Sequence, residues 1–342
     1  MTTTTLIAGF VLSCAASGIL VGIVRRDALR RRILDRPGER SLHVAPMPRG
    51  GGLGIALVVL PALAWLAATG AVLPGDAVGL GGGAVLVAAI GWIDDHRSVA
   101  APLRALAQLL AALWVVAWIG APVSIDAGIG AVPVGAFGAV LAVAAVVWLV
   151  NLYNFMDGID GLAGSQGLLA AAAAAVLFAV AGETGWAVFC AVLAGACAGF
   201  LPWNWSPARI FMGDVGAYLL GFTFAALALI GERSGALPIL AWIVLLGVFV
   251  WDATLTLAMR VRAGESWHTA HKSHAYQRYV LLGHGHARTT LAVIGLNVLL
   301  AWPLAGIGCS RRILLPWALA ASALIMLLLW RWVQHEYHER TQ

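Results

Sequence analysis

Eleven long apolar stretches divide this chain, and they limit its fold more than any other feature. They cover residues 6–24, 52–72, 78–93, 103–119, 135–150, 164–181, 185–201, 215–230, 236–257, 290–307 and 313–332. Each is near the length a helix needs to cross a hydrocarbon core of about 30 Å. In hydrocarbon every backbone N–H and C=O needs an internal partner, so runs of this kind predict helices. A β-barrel would show short alternating segments instead. Charged residues are 11% of the chain and hydrophobic residues 61%. A soluble domain usually carries about 25% charge, so a water-solvated surface is excluded. The expected fold is all-α: a polytopic integral membrane protein of about 10–11 transmembrane helices, with residues 1–342 forming one domain. Cys14, Cys190, Cys197 and Cys309 lie in or beside apolar runs with no CxxC pair, so neither a disulfide framework nor a zinc site is expected.

Charge is distributed unevenly between the two sets of loops. Of the 21 Lys and Arg, only Arg233, Arg311 and Arg312 fall on one side; the rest, eight of them between Arg25 and Arg49, fall on the other. The positive-inside rule then places the N-terminus outside and the C-terminus in the cytoplasm. Helix one has no basic segment ahead of it and Arg behind it, the pattern of a retained anchor rather than a cleaved signal. All nine His share the basic side. So do all the acids except Asp76, Asp126, Glu183 and Glu232. Acids contribute little to orientation, so their clustering points to an active site at the cytoplasmic face.

Four motifs on that side could carry chemistry. Asp94 and Asp95 end the third helix; two adjacent carboxylates at a membrane border are costly unless neutralised, by a metal or by Arg97 or Arg104. The fifth helix runs into Asn151-Leu-Tyr-Asn154-Phe-Met-Asp157-Gly-Ile-Asp160-Gly-Leu-Ala163. Asp157 and Asp160, three apart, would share a face on a helical turn. Phe211-Met-Gly-Asp214-Val-Gly216 leads into the eighth helix, where Asp214 could serve as a cap or as a ligand. Hard oxygen donors converging at one depth suit Mg²⁺ or Mn²⁺. The loop after the ninth helix holds His268, His271, Lys272, Ser273, His274, Tyr276, Gln277 and Arg278. With no Cys and no HExxH beside them, these donors suit a diphosphate better than zinc. In the first basic loop, Arg40, His43 and Arg49 look more site-like than Arg25 to Arg32, whose charge topology and lipid headgroups already explain. Asp252, near the end of the ninth helix, is a functional suspect by its depth. Gly81-Gly82-Gly83 reads as close helix packing. GxGxxG and Walker A patterns are absent.

The order Asp94-Asp95, NFMDGIDGLA (154–163), FMGDVG (211–216) and HKSHAYQR (271–278) resembles the polyprenyl-phosphate N-acetylhexosamine-1-phosphate transferases, glycosyltransferase family 4, nearest the branch that initiates O-antigen and other surface polysaccharides. The resemblance implies transfer of an amino-sugar 1-phosphate (GlcNAc, FucNAc or QuiNAc type) from a UDP-sugar to undecaprenyl phosphate, with release of UMP. It also implies Mg²⁺, or Mn²⁺ in its place, and a bacterial inner (cytoplasmic) membrane location. Asp214 then looks like a metal ligand with Asp157 beside it, and Asp94, Asp95 and Asp157 like the catalytic carboxylates. Asn154, Asp160 and Phe211 look like nucleoside contacts, and His271, His274 and Arg278 like sugar or diphosphate contacts. The phospho-N-acetylmuramoyl-pentapeptide branch favours three consecutive His and a Lys after the paired Asp. This chain has His271-Lys-Ser-His274 and Arg97.

Physical chemistry leads toward the same reaction. A lipid phosphate and a soluble nucleotide sugar meet only at an interface, and both are anionic. A divalent cation held by carboxylates, with Arg and His on the outer oxygens, answers that repulsion. A lipid-linked sugar transporter is the competing class, but it would place ionisable groups near the midplane and show internal repeats. Nothing calls for nucleic acid, and the small-residue face at 170–175 permits a homodimer without requiring one.

Overall fold

The computed structural model describes residues 3–35, 37, 45–265 and 271–341. Arg40, His43 and His268 lie outside the described residues. The helices are α1 (Thr3–Arg31), α2 (Gly52–Ala68), α3 (Pro74–His96), α4 (Ala101–Ile119), α5 (Phe137–Phe155), α6 (Leu162–Val180), α7 (Thr184–Asn204), α8 (Gly213–Ser234), α9 (Ile239–Leu245), α10 (Gly247–Arg262), α11 (Ala275–Tyr279), α12 (Gly285–Leu296), α13 (Trp302–Ser310) and α14 (Leu315–Thr341). Strands are confined to two short antiparallel ladders. β1 (Leu34–Asp35) pairs with β2 (Met47–Pro48), and β3 (Ser124–Asp126) with β4 (Ala131–Pro133).

The protein is therefore an all-α polytopic membrane protein. Among the described residues, nine helical segments are long and apolar enough to span a bilayer. α11 to α13 form one of these, joined through π-helical turns at Val280–His284 and Asn297–Ala301. Two of the eleven expected spans differ. α2 has only 17 residues, and the ninth is broken into α9 and α10 by an 85° bend.

α7 and α8 are the most enclosed helices. α7 packs against α1, α2 and α6, and α8 against α3 and α5. The expected close packing of the Gly81–Gly83 run is present. A Cβ on Gly83 would lie 2.1 Å from the Phe222 ring.

The bend between α9 and α10 frees backbone carbonyls inside the bilayer, where an unmet acceptor is costly. The fold supplies a partner from neighbouring helices. Gln166 Nε2 on α6 donates to the Leu245 carbonyl at 3.0 Å and to Asn297 Oδ1 at 3.2 Å. Asn297 Nδ2 donates back to Gln166 Oε1 at 2.9 Å. Both side chains are fully buried.

At the end of the bundle away from the acidic motifs, Arg233 pairs with the buried Asp76 at 2.5 Å. Glu232 accepts the N–H of Asp126, in the β3 strand, and that of Ile239, at the start of α9. Few charges lie at this end, and those few fasten turns to one another.

Gln166→Leu should lower stability by about 1–2 kcal/mol, because it removes the donor to Asn297 Oδ1 and to the Leu245 carbonyl. The Gln166→Leu/Asn297→Leu double variant should recover part of the loss. Thermal unfolding of the purified protein in detergent, compared across the three proteins, checks both expectations.

Candidate active site

The acidic motifs meet at one end of the bundle, built on helix termini. α3 ends there with Asp94 and Asp95, α5 ends with Asn154, and α8 starts with Asp214. The segment before α2 closes over them. Gly51 N–H donates to the Phe211 carbonyl at 2.9 Å, Gly52 N–H to Met212 O at 2.8 Å, and Phe211 N–H to Pro48 O at 2.8 Å. The two backbones approach so closely that a Cβ on Gly52 would sit 2.2 Å from Gly216 Cα.

Asp95 is the centre of this junction. Its carboxylate accepts Arg49 Nε at 2.9 Å and Nη2 at 2.7 Å. It also accepts the N–H groups of Asp214 at 3.0 Å and Val215 at 3.3 Å, and so caps α8 from another helix. Its side chain has no solvent exposure. Gly213, at φ +76°, turns the chain directly beneath; a Cβ there would meet Asp95 Oδ2 at 2.4 Å.

Asp94 is held differently. It accepts the Val99 N–H at 2.6 Å and Arg104 Nη1 at 2.9 Å, which is the Arg pairing considered from sequence. It also shares a hydrogen bond with Asp214. Asp214 in turn accepts Asn154 Nδ2 at 2.8 Å and the Tyr218 hydroxyl at 3.4 Å.

Asp157 stands apart. It lies in the turn between α5 and α6, half-buried, and among the described residues no donor is placed on its carboxylate. Burial and the facing carboxylates of Asp214 and Asp95 push it well above the usual carboxylate range.

The 156–161 segment is a turn, not a helical extension, so Asp157 and Asp160 do not share a helical face. The Asp160 carboxylate lies 3.3 Å from His286 Nδ1 and accepts the Ala208 N–H at 3.1 Å. Burial acts to raise its pKa, but the bonds from His286 and Ala208 outweigh it and leave Asp160 below its ordinary value.

The HKSH loop approaches from the α10–α11 side. Asp252, the suspect acid of the ninth span, caps α11 by accepting the N–H groups of Ala275 at 2.9 Å and Tyr276 at 3.1 Å. It also accepts the Thr256 hydroxyl at 3.1 Å and lies 3.5 Å from His274 Nδ1. His274 is buried and stacks near Tyr276, whose hydroxyl donates to the Phe155 carbonyl at 2.9 Å. The loop is thus tied to the end of α5 that carries Asn154. Burial, then the charges of His274 and Arg260, lower His271 to about 4, against the opposing influence of Asp252. Arg278 faces the last turns of α14, where it bonds Gln334 and lies over the Tyr337 ring.

Sequence reading missed Tyr218, His286 and Gln334. Only Tyr218 left a local trace, four residues after Asp214 on one helix face. Among the described residues, no three His, Cys, Asp or Glu side chains make a metal cage by themselves. Asp157 lies within electrostatic reach of Asp214, Asp95 and Asp160.

Residues 77–232 match the profile of a family described as glycosyl transferase family 4. The chain is 35% identical over 303 residues to the decaprenyl-phosphate N-acetylglucosaminephosphotransferase of Mycobacterium tuberculosis, covering 80% of this chain and 75% of that one. It is 28% identical over 297 residues to the probable undecaprenyl-phosphate N-acetylglucosaminyl 1-phosphate transferase of Bacillus subtilis, covering 84% and 81%. Likeness to the phospho-N-acetylmuramoyl-pentapeptide-transferase of Clostridium kluyveri is 48% over 80 residues, 23% of each chain.

The lowered His271 pKa carries a pH expectation. Folded His271 titrates near 4, below the usual histidine value near 6.5, so the unfolded chain binds more protons between them. The stability tied to neutral His271 is complete above about 6.5 and lost as pH falls toward 4. The thermal midpoint of the wild type should therefore drop relative to that of His271→Gln across this interval, measured on both proteins in one detergent.

Proposed function

Since the chain belongs to the polyprenyl-phosphate N-acetylhexosamine-1-phosphate transferases of glycosyl transferase family 4, we propose that it moves N-acetylglucosamine 1-phosphate from UDP-N-acetylglucosamine to undecaprenyl phosphate. UMP leaves, and the lipid-linked diphosphate sugar starts a surface polysaccharide such as O-antigen. The lipid phosphate oxygen attacks the β-phosphorus of the donor, and the bond from that phosphorus to the oxygen bridging it to the α-phosphate breaks. The observation that carries this reading is the convergence of Asp94, Asp95, Asp157 and Asp214 at one end of a bundle whose remaining bulk is apolar. That end also bears most of the Lys and Arg, so the positive-inside rule favours a cytoplasmic active site in a bacterial inner membrane.

The donor set fits Mg²⁺. Asp157 and Asp214 are close enough to influence one another electrostatically and both offer hard oxygens, while among the described residues no group of three His, Cys, Asp or Glu is placed as a ligand cage. Mg²⁺ commonly takes one or two carboxylates and completes its coordination with substrate phosphates and water. When bound, the metal would offset negative charge on the transferring phosphoryl group.

The protein's own groups take separate tasks in this reading. Asp157 and Asp214 would hold the ion. Asp94, bonded by Arg104 and the Val99 amide, borders Asp214 and is suited to orienting the lipid phosphate. Asp95, whose acceptor positions are filled by Arg49 and the start of α8, holds the FMGD turn in place. His271 and His274, with Asn154 and Phe211 on neighbouring elements, are suited to the donor. An apolar groove of about 250 Å³, lined by residues such as Leu141, Val146, Ala225, Trp242 and Leu246, suits the isoprenoid chain. A muramoyl-pentapeptide donor is disfavoured because that likeness spans under a quarter of the chain.

Purified protein given Mg²⁺, a short polyprenyl phosphate and a panel of UDP-amino sugars should release UMP most readily with UDP-N-acetylglucosamine. Asp214→Asn should reduce the rate by at least about 100-fold, the scale for loss of a group that organises charge in a transition state. Chelation by EDTA should stop the reaction and added Mg²⁺ restore it. Full turnover by a folded Asp214→Asn protein would remove Asp214 from the metal site. Protein-dependent lipid flux without UMP release would favour a transporter.

A further inference from the structure

α14 is longer than a bilayer requires. Its 27 residues extend roughly 40 Å at 1.5 Å per residue, against a hydrocarbon core of about 30 Å. Its last turns therefore project at the site end of the bundle. Trp330, Gln334 and Tyr337 occur there at spacings of four and seven, which places them on one helix face.

Each of the three touches the machinery of the HKSH loop. Trp330 Nε1 donates to Thr256 Oγ1 at 3.0 Å, and Thr256 donates to Asp252, the residue that caps α11. Gln334 Nε2 donates to the Ser273 carbonyl at 3.1 Å, while its Oε1 accepts from Arg278 Nη1. The Arg278 guanidinium lies 4.9 Å from the centre of the Tyr337 ring. The stripe thus reaches both ends of the Ser273–Arg278 segment and, through Thr256, its cap.

We propose that Trp330, Gln334 and Tyr337 are positioning residues: the overhang of α14 is a splint that fixes the donor-binding loop. An isolated loop would lose conformational entropy each time the donor bound. A loop already pinned through a side chain amide, a cation–π contact and a relayed cap has lost that freedom beforehand. The consequence falls on donor affinity and not on lipid affinity, because the stripe contacts the loop and not the apolar groove. Glu336 and Arg340, in the same last turns, form an ion pair with each other. The inference rests on reading His271 to Arg278 as the donor loop.

Two measurements test it. In the UMP-release assay, Gln334→Leu should raise the KM for the UDP-sugar about tenfold, as expected for loss of a hydrogen bond to a charged partner. The KM for polyprenyl phosphate should stay within about twofold. Tyr337→Leu should raise the donor KM about threefold, and Tyr337→Phe, which keeps the aromatic face, should restore it. Arg340→Gln is the control and should change neither KM. Amide hydrogen exchange of the 271–278 segment needs no turnover; it should quicken in Gln334→Leu and not in Arg340→Gln. Unchanged exchange in Gln334→Leu would overturn the splint, as would equal rises in both KM values. A wild type without turnover would count against the donor reading, and exchange would still decide whether α14 holds the loop.

Discussion

The Asp95 carboxylate, enclosed between Arg49 and the first N–H groups of α8, is the interaction on which the site depends. A charge removed from water at a bilayer edge is tolerated only when paired and fully hydrogen-bonded. Four donors meet that condition here. They come from two segments that flank the site, the stretch before α2 and the turn into α8. Satisfying one buried acid therefore docks two pieces of chain onto the end of α3. The glycines at 52, 213 and 216 follow from this docking, since Arg49 and the α8 N-terminus reach the same carboxylate only if the backbones nearly touch. A conservative-looking change at Asp95 would leave two or more donors orphaned and loosen Asp214 with them.

Around this neutralised acid the remaining carboxylates keep distinct environments. Asp94 has a guanidinium and an amide. Asp214 has the Asn154 amide and a phenol. Asp157 has neither, and burial together with its acidic neighbours raises it well above the usual carboxylate range. A pair of carboxylates left short of positive charge, beside others that are well supplied, is the electrostatic signature of a place where a cation belongs. This is the support for reading Asp157 and Asp214 as the metal-facing pair.

Much of the fold was legible in the chain because hydrocarbon imposes a simple rule on composition. Each expected span is helical. The break between α9 and α10 was not legible, since the residues around Leu246 are apolar and the one proline of the 236–257 stretch, Pro238, lies at the start of α9 and not at the bend. What permits the bend is the amide of Gln166, some 80 positions upstream in sequence. The acids of the site were legible from their unusual depth, but their division of labour was not. Asp252 read as a suspect by the same rule and proves to cap α11. Asp160 turned out to hold the segment around Ala208 through partners that no local spacing could reveal. Gln334 and Tyr337 lie in a stretch that resembles any polar helix end, and only the path of α14 past the loop gives them meaning. Residues 40 and 43 lie outside the described residues.

The distribution of polar work between the two ends follows from one asymmetry. A reaction at an interface needs its charges at one end of the bundle only. The opposite end must merely close turns, and there Asp76 pairs with Arg233, Asp126 with Arg312, and Glu232 with two amides. At the site end the fold likewise holds acids by contacts between segments far apart in sequence: Asp95 with Arg49, Asp214 with Asn154, Asp160 with His286. Long-range pairing makes each carboxylate's position a property of the whole bundle. A shift in one helix would therefore be felt as a change in the spacing of the acids, which is the quantity that any shared cation would sense first.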